Sequence, residues 1–368
     1  MSVFVPPSRL LFGPGPSQVP ERVYEAMSQP IVGHLDPFLF EQLEHIRAAL
    51  RELFGTKNQF VHVLSGTGSA GMEASLSNFV APGQKLAVFS AGYFSERIIE
   101  MGKRHGANVV VLNKPWGETF TEAEAREFLS REKPHAAAFV HAETSTGALQ
   151  DPKAITGPAH ETGALTIADC VTSLGALPID VDANGIDIAY SCTQKGLSCP
   201  PGMSPVTASP AAVERLRART SPCPIWYLDL GLLLEYYEGT HRYHHTAPVS
   251  NIYALREGLA AITEEGVAER FARHQRAQQF FVKRIEKEGL RLFVPEGRRI
   301  PNLNTVCVPE GVDDARTRKR LLGERGIEIA GGFGPLAGKI FRIGVMGPLA
   351  TEDNVNLLVD ALVTCMKD

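Results

Sequence analysis

The sequence lacks paired cysteines, long apolar runs and any excess of basic residues, and each absence argues against a class of protein. Its 368 residues include six cysteines, but no two of them form the C-x-x-C pair typical of a zinc site. No apolar stretch approaches the roughly 20 residues that a transmembrane helix requires. The formal net charge of −4 argues against nucleic acid or an anionic membrane as the main partner.

Recognisable targeting signals are also missing from both ends of the sequence. The first residues, MSVFVPPSRL, have no charged region followed by an apolar core, and they are too poor in arginine and serine for a transit peptide. The last residues, CMKD, do not match a peroxisomal address of the Ser-Lys-Leu type. We therefore expect a cytosolic protein whose scattered thiols stay reduced and mostly serve packing.

Short and nearly continuous apolar runs alternate with helical stretches between residues 57 and 209. Such runs predict strands that are covered on both faces, and hence a largely parallel sheet with crossover helices. Ligands of such sheets bind beyond the carboxyl ends of the strands, so the polar residues after each run are the candidates for a site. The predicted strands are Phe60–Leu64, Lys85–Phe89, Asn108–Leu112, Ala136–Val140, Ala164–Ala168 and Ile186–Tyr190.

The pattern changes beyond about residue 253, where two long helical stretches precede short strands and a final helix predicted over Thr351–Met366. This succession is typical of a smaller α+β domain. The first sixteen residues end in Gly-Pro-Gly-Pro and are too stiff and glycine-rich to form a helix. We therefore expect an N-terminal arm (1–16), a large domain (17–262) and a small C-terminal domain (263–368).

A glycine-rich loop, Ser65–Gly71, follows the first predicted strand and opens a helix. The free amides and the dipole of a helix N-terminus favour an anion, so the loop is a candidate phosphate cradle. The loop also satisfies the G-x-G-x-x-G pattern of a dinucleotide site, which requires an acid about 20 residues further on, at the end of the next strand. The first acid there, Glu96, already lies in a helical stretch. A tight turn with a helix cap is the other alternative.

Two charged residues follow consecutive predicted strands. Asp169 ends a buried run, where an acid is costly unless it is paired or ligated, although it could also cap the next turn. Lys195 lies between a strand and the turn Pro200–Gly202, whereas most lysines are solvated. A desolvated amine there has a lowered pKa and can form a Schiff base. With the phosphate cradle, these residues predict a pyridoxal phosphate site, in which the aspartate keeps the ring nitrogen protonated.

Taken together, these motifs resemble the class V aminotransferases, specifically the alanine–glyoxylate and serine–pyruvate aminotransferase family. The resemblance implies an α/β fold of the type I pyridoxal phosphate transferases, with a mostly parallel seven-stranded sheet in the large domain and a smaller C-terminal α+β domain. It also implies a homodimer with active sites at the subunit interface. The motifs that carry the resemblance are Gly13–Pro16, Ser65–Gly71, Glu143–Gly147, Asp169–Gly175, Ser191–Gly202, Tyr243–Val249, Gly331–Pro335 and Arg342–Gly347.

The resemblance further implies roles for individual residues. Lys195 matches the Schiff-base lysine, and Asp169 matches the partner of the pyridine nitrogen. Arg342 matches the arginine whose planar fork grips the substrate carboxylate. The remaining implied cofactor contacts are Thr67, Gly68, Ser69 and Gln194 at the phosphate, Thr144 near the phenolic oxygen, Phe94 stacked on the ring, and Tyr243 and Thr246 reaching the phosphate of the neighbouring subunit.

Four other polar residues near these motifs receive no catalytic role. His34 is left unassigned, and Arg242 is noted only because it could hold a second carboxylate of a dicarboxylate substrate. His244 and His245 suggest a metal, but adjacent residues on a strand point to opposite faces. We therefore expect these two histidines to serve packing and hydrogen bonding.

The implied activity is a ping-pong transfer of the amino group from alanine or serine to glyoxylate or pyruvate. A cysteine desulfurase or related lyase of the same fold is one alternative, but it needs a mobile nucleophilic cysteine, and Cys307 lies in a strand-like segment. A nicotinamide-dependent oxidoreductase lacks the required acid. A non-catalytic protein on this fold would not need Lys195.

Overall fold

The computed structural model of the chain describes residues 4–238 and 241–367. Elements are numbered here in chain order. The helices in these ranges are α1 Glu21–Met27, α2 Pro37–Phe54, α3 Gly68–Phe79, α4 Tyr93–Arg104, α5 Glu122–Glu132, α6 Lys153–Glu161, α7 Pro210–Arg217, α8 Leu230–Tyr237, α9 Val249–Glu265, α10 Val267–Lys287, α11 Asp314–Arg325 and α12 Glu352–Met366. The strands are β1 Leu10–Leu11, β2 Phe60–Ser65, β3 Lys85–Ser90, β4 Asn108–Asn113, β5 Ala136–Val140, β6 Ala142–Glu143, β7 Ala148–Leu149, β8 Leu165–Asp169, β9 Ile188–Tyr190, β10 Met203–Ala208, β11 Leu303–Cys307, β12 Ile327–Glu328, β13 Ala330–Gly331 and β14 Ile340–Gly344.

A seven-stranded sheet with the order β2-β10-β9-β8-β5-β3-β4 forms the centre of the large domain. The strands from β9 to β4 pair in parallel, and β10 is antiparallel to both of its neighbours. Every residue of β5 and β8 is buried, as strands covered on both faces require. The predicted α/β fold with a mostly parallel seven-stranded sheet is therefore confirmed.

The six strands predicted from apolar runs all form, with ends shifted by at most two residues. The seventh strand, β10, was not among those runs. Its sequence, Met-Ser-Pro-Val-Thr-Ala, contains a proline and two hydroxyl residues although all six residues are buried. Proline lacks the N–H that a central strand donates, so this segment does not have the usual pattern of a strand between two neighbours.

A second, smaller set of strands lies towards the C-terminus. Strands β11, β14 and β13 form a three-stranded antiparallel sheet, and α12 starts directly after Thr351, whose side chain caps it. This part has its own apolar core, which includes Phe281, Phe341 and Leu358. The division into an arm (1–16), a large domain (17–262) and a small domain (263–368) stays a prediction. Residues 1–3, 239–240 and 368 of those spans lie outside the described residues.

The N-terminal arm joins the two parts of the molecule. Strand β1 pairs in parallel with β12, and Phe12 is fully buried in the C-terminal core. The N–H of Gly344, at the end of β14, donates to the carbonyl of Phe12 at 2.7 Å. The chain then enters the large domain, where Ser17 N–H donates to the carbonyl of Gln194 at 2.9 Å. The arm thus runs from the small sheet to the segment that carries Lys195.

Two features are absent from the described part of the chain. No helix there combines the length and the apolar character needed to cross a bilayer. Within the same ranges, no group of three or more histidine, cysteine, aspartate or glutamate side chains is arranged to hold a metal ion.

Candidate active site

The carboxyl ends of β2, β8 and β9 meet around a cavity of about 240 Å³, here called the strand-end cavity. Residues that are far apart in the sequence line it, because parallel strands present their ends at one edge of the sheet. Its lining includes Thr67, Ser69, Phe94, Asp169, Gln194 and Lys195. The structure therefore brings together the predicted phosphate loop, the acid and the lysine.

The glycine loop presents an open helix N-terminus to the strand-end cavity. Thr67 is the N-cap residue of α3, but its side chain makes no capping hydrogen bond. The N–H groups of Gly68 and Ser69 and the Thr67 hydroxyl are therefore available to an anion. A Cβ at Gly68 would stand 2.7 Å from a methyl group of Val171. The absence of a side chain at residue 68 therefore permits the close approach of this loop to the segment that follows β8.

The carboxylate of Asp169 is held by two hydrogen bonds at the end of β8. Its Oδ1 accepts from the N–H of Val171 at 2.9 Å, and its Oδ2 accepts from the hydroxyl of Tyr190 at 3.0 Å. Asp169 is only 3% exposed, and this burial raises its pKa to about 6 even though both hydrogen bonds favour the ionised form. A cation placed in the cavity would relieve the cost of burying this charge.

Lys195 extends into the same cavity and not into bulk solvent. The residue is 8% exposed, and its Nζ donates to the carbonyl of Pro14 at 2.6 Å. Burial lowers the pKa of the amine, which increases the fraction of the neutral, nucleophilic form. The main-chain carbonyl of Lys195 accepts from the hydroxyl of Ser17 at 2.7 Å. Pro14 of the N-terminal arm therefore holds the amine of Lys195, and Ser17, the first residue after the arm, holds its backbone.

Phe94 and Gln194 complete the near walls of the cavity. The ring centroid of Phe94 lies 5.9 Å from Nζ of Lys195, so an apolar face covers the amine on one side. The Oε1 atom of Gln194 is buried and has no hydrogen-bond partner among the described residues. An unpaired buried polar atom that lines a cavity is a position where a ligand would supply the missing partner.

Two predicted site residues lie near the cavity without lining it. Thr144 is buried, and its Oγ1 lies 3.2 Å from Oγ1 of Thr172. Arg342 is 4% exposed, and its guanidinium lies 3.8 Å from the ring centroid of Phe333. Its Nε donates to the carbonyl of Gly331 at 2.7 Å. The two terminal nitrogens are left to donate to the two oxygens of a carboxylate. Burial lowers the pKa of Arg342 to about 10, so the side chain remains a cation at neutral pH.

Tyr243 and Thr246 are not brought to the cavity of their own chain. Both residues are exposed, and the Tyr243 ring lies against the ring of His34, with 5.1 Å between the centroids. Arg242 is likewise exposed and pairs with Glu235 at 3.2 Å. These residues belong to an irregular segment, 241–248, that follows the undescribed residues 239–240.

Our expectation that His244 and His245 point to opposite faces of a strand is wrong, because segment 241–248 is not a strand. Their Nδ1 atoms lie 2.8 Å apart. Nε2 of His244 lies 3.2 Å from the carbonyl of Trp226, which can only accept, so His244 donates there and its Nδ1 accepts from His245. Nε2 of His245 then accepts from the Ser65 hydroxyl at 2.7 Å. The two rings serve hydrogen bonding, as expected, and tie segment 241–248 to the glycine loop.

Sequence reasoning missed four residues that shape the cavity. Pro14 and Tyr190 contact the lysine and the aspartate, as described above. Glu143, 6% exposed, accepts hydrogen bonds from the N–H groups of Phe94 and Ser95 and so fixes the start of α4. Arg97 lines the cavity one turn after Phe94. Only the helical spacing of three residues between Phe94 and Arg97 could have indicated that both face the same way.

The chemical groups around the cavity match those of pyridoxal phosphate. An open helix N-terminus and two hydroxyls suit a phosphate, a buried carboxylate suits a protonated ring nitrogen, and a desolvated amine suits an aldehyde. The unpaired Oε1 of Gln194 and the uncapped start of α3 mark where ligand contacts are missing.

Comparison with known proteins agrees with this chemistry. The Aminotransferase class-V family profile matches residues 9–356. An alanine–glyoxylate aminotransferase of Callithrix jacchus is 38% identical over 360 residues, which are 97% of this chain and 87% of that protein. A (S)-ureidoglycine–glyoxylate transaminase of Bacillus subtilis is 36% identical, over 97% of this chain and 90% of that protein.

A solved structure gives the same result for the fold. The crystal structure of an alanine–glyoxylate aminotransferase from Nostoc sp. superposes with a TM-score of 0.98 and 45% identity, over 100% of this chain and 97% of that chain. The match of the family profile to nearly the whole chain and these extended identities identify the protein as a member of the class V aminotransferase family, a transaminase of the pyridoxal phosphate-dependent fold type I enzymes.

Proposed function

We propose that this transaminase moves the amino group of a small amino acid, alanine or serine, to glyoxylate or pyruvate by a ping-pong mechanism. Glyoxylate is the substrate that the names of the three compared relatives have in common. The observation that carries the proposal is the strand-end cavity, which places Lys195, Asp169 and the start of α3 around one space.

We propose that the residues of this cavity hold the cofactor by charge and shape. Thr67, Gly68, Ser69 and Gln194 take the phosphate, and Asp169 holds a proton on the ring nitrogen. Thr144 lies on the side of the phenolic oxygen, and Phe94 covers the ring face. When bound, pyridoxal phosphate supplies an aldehyde that condenses with amines and a ring that accepts electrons.

Lys195 is the residue that moves protons. As a neutral amine, favoured by its burial, Nζ accepts the α-proton of the amino donor as a general base. In the second half-reaction it returns a proton to the α-carbon that originates from the oxo acid. The carbonyl of Pro14, 2.6 Å from Nζ, accepts a hydrogen bond from the free amine and keeps it inside the cavity between these steps.

Arg342 is the residue that binds the substrate carboxylate. Its Nε is fixed by Gly331, and its terminal nitrogens form a planar fork that matches a carboxylate with two hydrogen bonds. In its own chain, Arg242 is paired with Glu235 at the surface. This arrangement supports a donor with a single carboxylate, such as alanine or serine.

We further propose that the protein acts as a cytosolic homodimer with shared sites. Tyr243 and Thr246 are exposed in the single chain, which suits side chains that reach the phosphate of a neighbouring subunit. All six cysteines are free thiols, as expected in a reducing compartment.

Amino-donor profiling of the pyridoxal phosphate-loaded protein tests the proposal. With glyoxylate or pyruvate as acceptor, we expect alanine and serine to be used at far higher kcat/KM than aspartate. Alanine alone should release one pyruvate per site, because a ping-pong enzyme completes its first half-reaction without an acceptor. Lys195→Ala is the control and should abolish this release. Pyruvate formation that requires glyoxylate would contradict the ping-pong assignment.

The desulfurase alternative is disfavoured by the position of Cys307. This residue lies in β11, paired with Ile340 of β14, and a strand does not supply the mobile nucleophile that the reaction needs. Sulfide release from cysteine at a rate above alanine transamination would reverse this preference.

A further inference from the structure

Arg97 is the cation of the strand-end cavity that the proposed function leaves unused. It follows Phe94 by one turn of α4, and its guanidinium lies 4.9 Å from the centroid of the Phe94 ring. Its Nη1 donates to Oγ of Ser69 at 3.1 Å. Since Ser69 belongs to the first turn of α3, the guanidinium lies beside the open helix N-terminus.

Within residues 4–238 and 241–367 the guanidinium of Arg97 forms no salt bridge: it contacts the Ser69 hydroxyl and the rings of Tyr93 and Phe94, and its charge acts on the carboxylate of Asp169 only from beyond salt-bridge distance. Three other partly buried arginines have acidic partners: Arg47 pairs with Glu44 and Glu238, Arg273 with Glu265, and Arg284 with Asp360. Arg342 also forms no salt bridge among the described residues, and it is the residue proposed above to bind the substrate carboxylate. Arg97 is partly buried, and removing a cation from water without a paired anion is costly. The position of Arg97 therefore indicates that an anion from outside the chain completes it.

The charges that line the cavity point to the phosphate as that anion. Lys195 and Arg97 are its cationic residues, and Asp169 is its acidic residue. In the proposed function, the lysine serves the aldehyde and the aspartate serves the ring nitrogen. A phosphate monoester carries about −1.5 to −2 charges at pH 7. All the phosphate contacts proposed above are neutral groups, so Arg97 is left to balance this charge.

We propose that Arg97 is a positioning residue that supplies the counter-charge of the cofactor phosphate through Ser69. Because the Ser69 oxygen accepts from the guanidinium, its own proton is free to be donated into the cavity. The guanidinium polarises this hydroxyl and strengthens its hydrogen bond to a phosphate oxygen. This inference rests on the proposed placement of the phosphate at the start of α3.

The alternative is that Arg97 only braces Phe94 by a cation–π contact. The two roles differ in their dependence on the phosphate. A brace for the ring affects pyridoxal phosphate and pyridoxal equally, whereas a phosphate counter-charge affects only the phosphorylated compound. The ratio of the two dissociation constants therefore separates the roles without any measurement of catalysis.

The experiment measures dissociation constants of pyridoxal phosphate and of pyridoxal for the full-length, cofactor-free protein and its Arg97→Gln variant. We expect pyridoxal phosphate to bind on the order of tenfold to a hundredfold more weakly to the variant, the size of a lost charge-assisted hydrogen bond. Pyridoxal affinity should change less than about twofold, well below the effect of such a bond. Ser69→Ala should likewise weaken the binding of pyridoxal phosphate relative to that of pyridoxal. Compared with Arg97→Gln, Arg97→Lys should restore part of the affinity for pyridoxal phosphate.

Arg104→Gln is the matched control, because Arg104 lies on the same helix and pairs with Glu100 at the surface. It should change neither dissociation constant. Equal losses of affinity for both compounds in Arg97→Gln, or no loss for either, would overturn the inference. The two proposals can fail separately. If Arg97→Gln weakens the binding of pyridoxal phosphate but not of pyridoxal, and the wild-type protein does not transaminate alanine or serine, the proposed function is refuted and this inference stands.

Discussion

Some residues of the site lower the stability of the cofactor-free protein, and Asp169 is the clearest case. Its pKa rises from 3.8 to about 6 because burial disfavours the carboxylate. Between these pH values the folded chain binds more protons than the unfolded chain, so the free energy of unfolding falls as the pH rises. A shift of about two pKa units corresponds to about 3 kcal/mol.

We therefore predict that Asp169→Asn stabilises the cofactor-free protein at pH 8 by up to about 3 kcal/mol. The gain should shrink towards pH 4, where the carboxyl of the folded chain is protonated and that of the unfolded chain is only partly ionised. Denaturant unfolding from pH 4 to pH 8 measures it. The same variant should bind pyridoxal phosphate more weakly, because the ring nitrogen loses its anionic partner. A stability difference that does not vary with pH would contradict the assignment of the buried charge to Asp169.

Tyr190 lies beside Asp169 on the neighbouring strand β9 and donates a hydrogen bond to the same carboxylate. Its hydroxyl favours the ionised form of Asp169, so Tyr190→Phe should raise the pKa of Asp169 further. We predict that the variant loses affinity for pyridoxal phosphate more at pH 6 than at pH 8, because more of its Asp169 is protonated at pH 6. Dissociation constants at both pH values measure the effect. Tyr227→Phe, which alters an exposed ring, is the control, and a loss that is equal at the two pH values would count against this role.

At the scale of elements, the N-terminal arm is the part of the site that depends most on backbone conformation. Gly15 has a φ of +123°, and a Cβ there would lie 3.1 Å from Cε and 3.3 Å from Cδ of Lys195. Glycine adopts such a φ without strain, whereas alanine does not. The arm therefore approaches the lysine as closely as it does only because residue 15 has no side chain.

We predict that Gly15→Ala lowers the free energy of unfolding by about 1–3 kcal/mol and displaces Lys195 from the carbonyl of Pro14. The displacement should slow borohydride trapping of the cofactor on Lys195 as well as transamination. Gly13→Ala is the matched control, because no atom lies within 4 Å of a Cβ at Gly13 and its φ is not positive. If both variants trap cofactor at the wild-type rate, the arm has no part in placing the amine.

The sheet, the aspartate and the lysine could be predicted from sequence because each is indicated by the pattern of residues next to it in the chain. Apolar runs that are buried on both faces predict strands, and a polar residue after such a run predicts a place at the edge of the sheet. Strand β10 was not predicted because Pro205 and two hydroxyl residues interrupt the apolar pattern typical of a buried strand. The contact of Arg97 with Ser69 joins two helices, and no spacing within the sequence fixes how α3 and α4 approach each other.

At the scale of the whole molecule, the proposed shared sites predict complementation between subunits. Lys195→Ala and a Tyr243→Ala/Thr246→Ala double variant should each be nearly inactive alone. In a hybrid dimer, one site combines the intact Lys195 of one chain with the intact Tyr243 and Thr246 of the other. Random mixing makes half of the dimers hybrids with one such site, so about a quarter of wild-type activity should return. Activity that never exceeds the sum of the two parents would contradict shared sites.

The pairing of β1 with β12 bears on how the chain reaches its native state during synthesis. The residues that emerge first from the ribosome find their partner strand only after most of the chain has been translated. The central sheet can form earlier, since all of its strands precede residue 209, and domains generally fold as they are made. Lys195, the proposed catalytic residue, therefore gains its carbonyl neighbour Pro14 late, and a nascent chain truncated before residue 327 should have a folded sheet but an incomplete strand-end cavity.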